Sequence, residues 1–481
     1  MPIAHIARRF GCTVPTKANL LLKCDRLPMT DQPLILDTSE YGLLTDLYQL
    51  TMAACYVGEG LEQRRASFEV FCRNTPDGYG YLVAMGLAQV VDYLQHFSFG
   101  AAQISSLKAS GIFDHAPDAF WSLLAEARFT GDVWAVPEGT VVFPNEPLLR
   151  IEAPLWQAQI IETYALNALN YQTLIATRAA RLRDLTGPKA ALLEFGTRRA
   201  FSPQGSMWAA RAAIAGGLDA TSNVLAAMKL GRKPSGTMAH ALVMALSALE
   251  GSEQQAFTSF HRYFPKAPLL IDTFDSVAAA RSLAQRIQAG ELELDGVRLD
   301  SGDLVELSKE VRSLLPGVPI IVSGDLNEAK VKALIDAGAC IDGYGFGTKL
   351  VTGAPVNGVY KLVEIDGIPT MKASSGKSTY PGRKQIFRSF APDGTFEGDR
   401  LGLMTEDPAN ATPLLELIMQ DGQLLTPPES LDAIAQRTAA NVHQLPANLR
   451  AIANPPTYFP TISTALQTLT DQTLHRIHKT P

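Results

Sequence analysis

The spacing of apolar positions changes several times along this chain. Residues 41–58 (YGLLTDLYQLTMAACYVG) place apolar side chains every three or four positions, as one face of a helix does. Thr45 or Asp46 stands where an N-cap belongs. Residues 66–72 (ASFEVFC) alternate like a strand, and residues 81–97 return to helical spacing. Short β runs over 131–153 are split by Pro-Glu-Gly and Pro-Asn-Glu turns. A long helical pattern then runs from about Leu155 to Asp184.

The middle of the chain has a different rhythm. Five apolar runs follow one another: ALLEF (191–195), PLLID (268–272), GVRLD (296–300), PIIVS (319–323) and CIDGYGF (340–346). They are continuously apolar, as strands buried on both faces are. Helical patterns ending in Gly lie between the later ones: SVAAARSLAQRIQAG, DLVELSKEVRSLLPG and NEAKVKALIDAG. This predicts β-α-β-α units around a parallel sheet. Polar residues collect just after each strand: Asp-Thr-Phe-Asp (272–275), Asp-Ser-Gly-Asp (300–303), Ser-Gly-Asp-Leu (323–326) and Gly-Phe-Gly-Thr (345–348). In a β/α barrel those strand ends form the active-site rim. Linkers would not hold such signatures at one phase of a repeat. Past residue 355 the pattern is β-like again. Asp366-Gly367 and Asp393-Gly394 mark hairpin turns, and a helix is predicted near 429–441.

Composition narrows the classes of function. The chain has 481 residues, 46% hydrophobic and 19% charged, which fits a globular protein of two to four domains. A net charge of −6 gives nucleic acid or an anionic membrane no global attraction, so an anion site must be local. No run of about 18 apolar residues predicts a membrane helix. The five cysteines are odd in number and form no CxxC pair, which argues against a disulfide framework or zinc site. A reducing, cytoplasmic location is expected. Residues 1–40 begin with a mildly basic stretch and read as an extension.

Several residues carry candidate chemistry. Glycines in 345–348 let backbone N–H groups approach an anion, and Thr348 adds a hydroxyl; a tight turn is the alternative. Asp272, Asp300 and Asp325 fall at strand ends, where they suit helix capping or a divalent cation shared with substrate phosphates. Arg298 lies within an apolar run, and Arg198 and Arg199 follow another. Buried arginines need partners, either structural acids or a bound carboxylate or phosphate. Residues 372–388 concentrate Lys372, Lys377, Arg383, Lys384 and Arg388 in a Ser/Gly/Pro-rich stretch, read as a loop that is either solvated or anion-binding. His240 opens the apolar run after SGTMA; it is a core or capping histidine, a base, a metal ligand or a nucleophile.

Taken in order, TDLYQLTM (45–52), FEVFCRNTP (68–76), LEFGTRRAFSP (193–203), GGLDATSNVLA (216–226), GTMAHA (236–241), GVRLDSGDL (296–304), IVSGDLNE (321–328) and GFGTKLVTG (345–353) resemble the nicotinate phosphoribosyltransferase family of NAD salvage. The resemblance spans roughly residues 41–390. It implies an α/β fold: an irregular β/α barrel, as in type II phosphoribosyltransferases, with an α/β domain formed from N- and C-terminal segments. The corresponding division is an extension at 1–40, an N-terminal α/β domain at 41–150, a catalytic barrel at 151–355 and a completing segment at 356–481. It implies homodimers with composite active sites.

It also implies an enzyme that transfers phosphoribosyl from 5-phosphoribosyl 1-pyrophosphate to nicotinate, coupled to ATP through a phosphorylated histidine. Mg²⁺ would be the cofactor and ATP a co-substrate. His240 is the histidine that matches. Tyr48 would border the nicotinate ring from the partner subunit, Thr237 and Arg298 would contact nicotinate, and Arg198 would flank the base pocket. Thr348 would hold the 5-phosphate, and Asp300 and Asp325 would face ribose or Mg²⁺–pyrophosphate. Arg73 and the 372–388 stretch resemble pyrophosphate-side contacts. Leu304, where related nicotinamide-using enzymes carry Pro, and the GTMAH lead-in favour nicotinate. Two other classes remain: a sugar-phosphate lyase or isomerase using Lys349, and a nucleotide-sensing module.

Overall fold

Six parallel strands carry the middle of the chain. In the computed structural model, which describes residues 34–374 and 379–479, they lie in the spatial order Ala220–Thr221, Ala191–Glu194, Gly343–Phe346, Ile320–Val322, Val297–Leu299, Leu269–Leu270. The first four strand pairs and the last are all parallel. This order follows the chain cyclically. Among the described residues, no ladder joins Ala220–Thr221 to Leu269–Leu270, so the ring is open at that one seam. Parallel strands put all their C-terminal ends on one side, and the polar signatures read from the sequence stand there together.

The helices between these strands form where their caps permit. Asp275 accepts from the amides of Val277 and Ala278 and starts Ser276–Gln288. Asp303 does the same for Leu304–Leu314, and Asn327 for Glu328–Asp336. Their apolar faces cover the sheet, with Ala279, Ala280, Leu283, Val311 and Val331 fully enclosed beside Val297, Leu299, Ile320 and Val322. Each of the valines, leucines and isoleucines among them contributes about 1.5–3 kcal/mol when fully buried.

The flanking sheet joins both ends of the described chain. Its strands run in the order Ile368–Pro369, Gly358–Ile365, Arg65–Cys72, Pro147–Pro154, Asp132–Ala135, Glu416–Gln420, Gln423–Leu424. An α/β domain is thus completed by C-terminal strands, as the resemblance implied. Both Asp-Gly turns close hairpins, with Gly367 at φ 75° and Gly394 at φ 83°.

Three expectations change. The helix read over 41–58 divides into a 3-10 turn, Thr38–Leu43, and a helix, Leu47–Gly58. The helix read over 81–97 begins only at Leu87, because Leu82–Val83 pair with Val141–Val142 and Gly86 turns the chain at φ 106°. The 372–388 stretch is not a loop throughout: Lys384–Phe390 is a strand. Most of the extension assigned to 1–40, and Lys377, lie outside the described residues. Among the described residues no helix is long and apolar enough to cross a membrane.

Candidate active site

The segment leading to His240 runs beside the open seam. Ser235 N–H donates to Thr221 O at 2.9 Å, which lays the segment along Ala220–Thr221. Two residues on, Thr237 Oγ1 accepts from Arg298 Nη1 at 3.1 Å. His240 is the first residue of the helix His240–Glu250, whose N-cap Ala239 offers no side-chain bond. The imidazole neither caps that helix nor sits in the core, for it is 40% exposed. Its Nδ1 lies 3.0 Å from Thr273 Oγ1, and Nε2 lies 4.0 Å from Asp272 Oδ1.

Asp272 stands at the centre of the acids. Its Oδ2 accepts from Asp300 N–H at 3.1 Å and from Ser301 Oγ at 2.6 Å. Its Oδ1 is buried with no hydrogen-bond partner in the chain. Asp300 Oδ1 accepts from the Ser323 hydroxyl. Capping falls to Asp275 and Asp303, which leaves Asp272, Asp300 and Asp325 for the rim. Gly324 is required where these loops meet: its φ is 95°, and a Cβ there would lie 2.1 Å from Asp300 O. Asp325, the next residue, is exposed and itself at φ 50°.

Glu253 adds an acid that no sequence signal marked. It heads the helix Glu253–Tyr263, which packs on His240–Glu250. Burial, then the charges of Asp275 and Asp272, push its carboxyl up to about 7. Among the described residues no three His, Cys, Asp or Glu side chains form a cluster able to hold a metal ion. Of Asp272, Asp300 and Asp325, it is Asp272 whose Oδ1 is buried without a partner among the described residues.

The arginines make the positive half of the rim. Arg298 is mostly buried, with Nε lacking a partner in the chain. Burial chiefly, with the neighbouring Arg198 charge, holds its guanidinium below the usual value, against the pull of Asp300 and Asp272. Two guanidiniums close enough to repel, one with an orphaned donor, describe a place for an anion.

The GFGT turn is built by close packing. A Cβ on Gly345 would lie 2.5 Å from the Phe195 ring, so the absent side chain makes room for that aromatic at the rim. Phe195 was not singled out from the sequence, although an aromatic at a strand end, opening FGTRRA, was a usable signal. Thr348 begins the four-residue helix Thr348–Val351.

Other predicted residues sit apart. Tyr48 is 47% exposed and donates to Glu162 Oε2 at 3.1 Å. It lines a cavity of about 440 Å³ with Phe201, Val351 and Gly353, separate from the His240 contacts. Arg73 borders a smaller cleft with Asn74, Thr75 and Asn357. The basic residues Arg383, Lys384 and Arg388 are spent on structure. Arg383 pairs with Glu152 and Glu364, Lys384 Nζ with Glu69 at 2.8 Å, and Arg388 with both oxygens of Asp399 at 2.9 and 2.7 Å. They do not line an anion site, which corrects that part of the expectation.

Known proteins share this arrangement along most of the chain. Three family descriptions match: nicotinate phosphoribosyltransferase N-terminal domain over residues 43–170, nicotinate phosphoribosyltransferase family over 190–335, and nicotinate phosphoribosyltransferase C-terminal domain over 405–470. A nicotinate phosphoribosyltransferase of Mycobacterium tuberculosis is 41% identical, with 85% of this chain and 89% of the relative aligned. One of Bacillus subtilis is 40% identical over 76% of this chain and 78% of the relative. The crystal structure of human nicotinic acid phosphoribosyltransferase superposes with a TM-score of 0.79 at 30% identity, covering 89% of this chain and 99% of that one.

Proposed function

The chain belongs to the nicotinate phosphoribosyltransferase family and is an enzyme of NAD synthesis, and from that premise we propose that it joins nicotinate to phosphoribosyl pyrophosphate with ATP coupled through His240. In this reading the nicotinate ring nitrogen attacks C1 of the ribosyl donor. A C–N bond forms, pyrophosphate leaves, and the product is nicotinate mononucleotide. Separately, His240 Nε2 attacks the γ-phosphorus of ATP, ADP departs, and later hydrolysis of the N–P bond releases phosphate.

The observation that carries this reading is the setting of His240. Thr273 engages Nδ1, so an Nδ1–H donated there leaves the nucleophilic lone pair on Nε2. Asp272 Oδ1, which has no hydrogen-bond partner in the chain, lies 4.0 Å from that Nε2. The helix that His240 begins presents its positive end to the phosphoryl group. Next to it, Thr237, Arg298 and Arg198 supply donors for the nicotinate carboxylate, which nicotinamide lacks. Thr348 is assigned to the 5-phosphate. Asp300 and Asp325 are assigned to Mg²⁺, which enters with the phosphoribosyl pyrophosphate.

A homodimer completes the site in this proposal, with Tyr48 supplied to the partner. Support comes from its exposure beside Leu44, Leu47 and Met52, an apolar strip of the kind that pairing covers. Incubation with nicotinate or nicotinamide, phosphoribosyl pyrophosphate and Mg²⁺, with and without ATP, tests the reading. Mononucleotide from nicotinate, increased by ATP, is expected. Product from nicotinamide alone would reject it.

A further inference from the structure

Glu194 is fully buried at the end of the strand Ala191–Glu194, and its two carboxylate oxygens face different loops. Oε1 accepts from Gly196 N–H, and Oε2 accepts from the Thr221 hydroxyl at 2.5 Å. Ser222 N–H also donates to Glu194 O at 2.9 Å, so backbone and side chain clamp the same pair of loops.

Each loop leads to the base pocket. Gly196 begins the turn that carries Arg198, for Arg199 N–H and Ala200 N–H donate to Gly196 O at 2.8 and 3.0 Å. A Cβ on Gly196 would lie 2.4 Å from Val351 Cγ1 and 2.8 Å from Glu194 Oε1, so the turn is wedged between that carboxylate and the Thr348–Val351 helix. On the other side, Thr221 Oγ1 accepts from Asn223 N–H at 2.9 Å, and Thr221 O accepts from Ser235 N–H at 2.9 Å. That second bond aligns the segment that ends in Thr237 and His240.

A buried carboxyl is costly to retain where an apolar side chain would pack. Burial pushes this one up in pKa, opposed by the bonds from Thr221 and Gly196. We infer that Glu194 is a positioning residue, holding the Arg198 turn and the Thr221–Thr237 segment at a fixed separation so that Arg198 and the Arg298–Thr237 pair meet one ligand. The inference rests on the base-pocket reading above.

The test uses the full chain with Glu194→Ala, Thr221→Val and Thr221→Ser. The first two should raise KM for nicotinate at least about tenfold, as loss of a hydrogen bond to a charged group would. They should leave kcat and KM for phosphoribosyl pyrophosphate within about threefold. Thr221→Ser keeps the hydroxyl and should behave like the wild type. Amide hydrogen exchange over 195–200, measured without substrate, should accelerate in Thr221→Val, a single-hydroxyl change that spares the fold if Glu194→Ala does not. Unchanged exchange with unchanged nicotinate KM overturns the inference. So do equal losses for both substrates with a lowered Tm, which mark a merely structural role. A wild-type enzyme without nicotinate turnover sinks the base-pocket reading instead, while the exchange measurement still decides whether Glu194 holds the turn.

Discussion

Arg298 Nη1 donates to Thr237 Oγ1 across 3.1 Å, tying the Val297–Leu299 strand to the segment that enters His240. The bond fixes one end of a mostly buried guanidinium. It leaves Nε without a partner in the chain and Arg198 close enough to repel. An anion relieves both conditions.

Arg298→Ala should therefore weaken nicotinate by about 1.5–3 kcal/mol, the usual cost of a lost hydrogen bond to a charged group. Comparison of kcat/KM for nicotinate and nicotinamide checks this. Equal weakening of both bases would contradict a carboxylate contact.

His240→Ala should abolish acid-labile phosphoenzyme and ATP-stimulated turnover. The side chain is 40% exposed and caps nothing, so circular dichroism and the melting transition should change little. Labelling with γ-³²P-ATP gives the readout, and phosphoenzyme persisting in the variant would remove His240 from the nucleophile role.

Glu253 should make the stability of the fold depend on pH. Its folded-state carboxyl is raised from 4.5 to about 7, so the folded protein binds a proton that the unfolded chain releases. Its contribution is fully present below about 4.5 and is lost as pH rises to about 7. Glu253→Gln should remove that decline. The Tm of the variant relative to wild type should rise between those two values, and parallel Tm profiles would refute the assignment.

Gly324→Ala should damage both stability and rim. The φ of 95° disfavours any side chain, and the added Cβ would lie 2.1 Å from Asp300 O. Strain and overpacking of this kind cost about 1–3 kcal/mol each. Urea unfolding measures the loss, and a variant as stable as the wild type would show that the Asp300 and Gly324 loops move apart freely.

Much of this protein is local enough to read from its sequence. Asp-Gly pairs make their hairpins because a glycine at positive φ suffices to turn the chain, joined at Asp366 by a second such residue. The phase of the β-α units is set by alternating apolar runs, Gly stops and caps such as Asp303 and Asn327, each within a few residues of its target. That phase put Asp272, Asp300, Asp325 and Thr348 on one side of a parallel sheet, and the ordered signatures singled out His240.

What the tertiary structure decided involves residues far apart in the chain. Leu82–Val83 are a strand because Val141–Val142 lie beside them, whatever their helical spacing suggests. Lys384 and Arg388 read as part of a loop, solvated or anion-binding, until Glu69 and Asp399 claimed their charges. Glu253 and Glu194 carry no signature, for what matters in each is the burial and the neighbours that distant segments supply. Local propensity and turn chemistry are written in consecutive residues, whereas the charge state and aim of a side chain depend on the dielectric and partners around it, which exist only once the chain has folded.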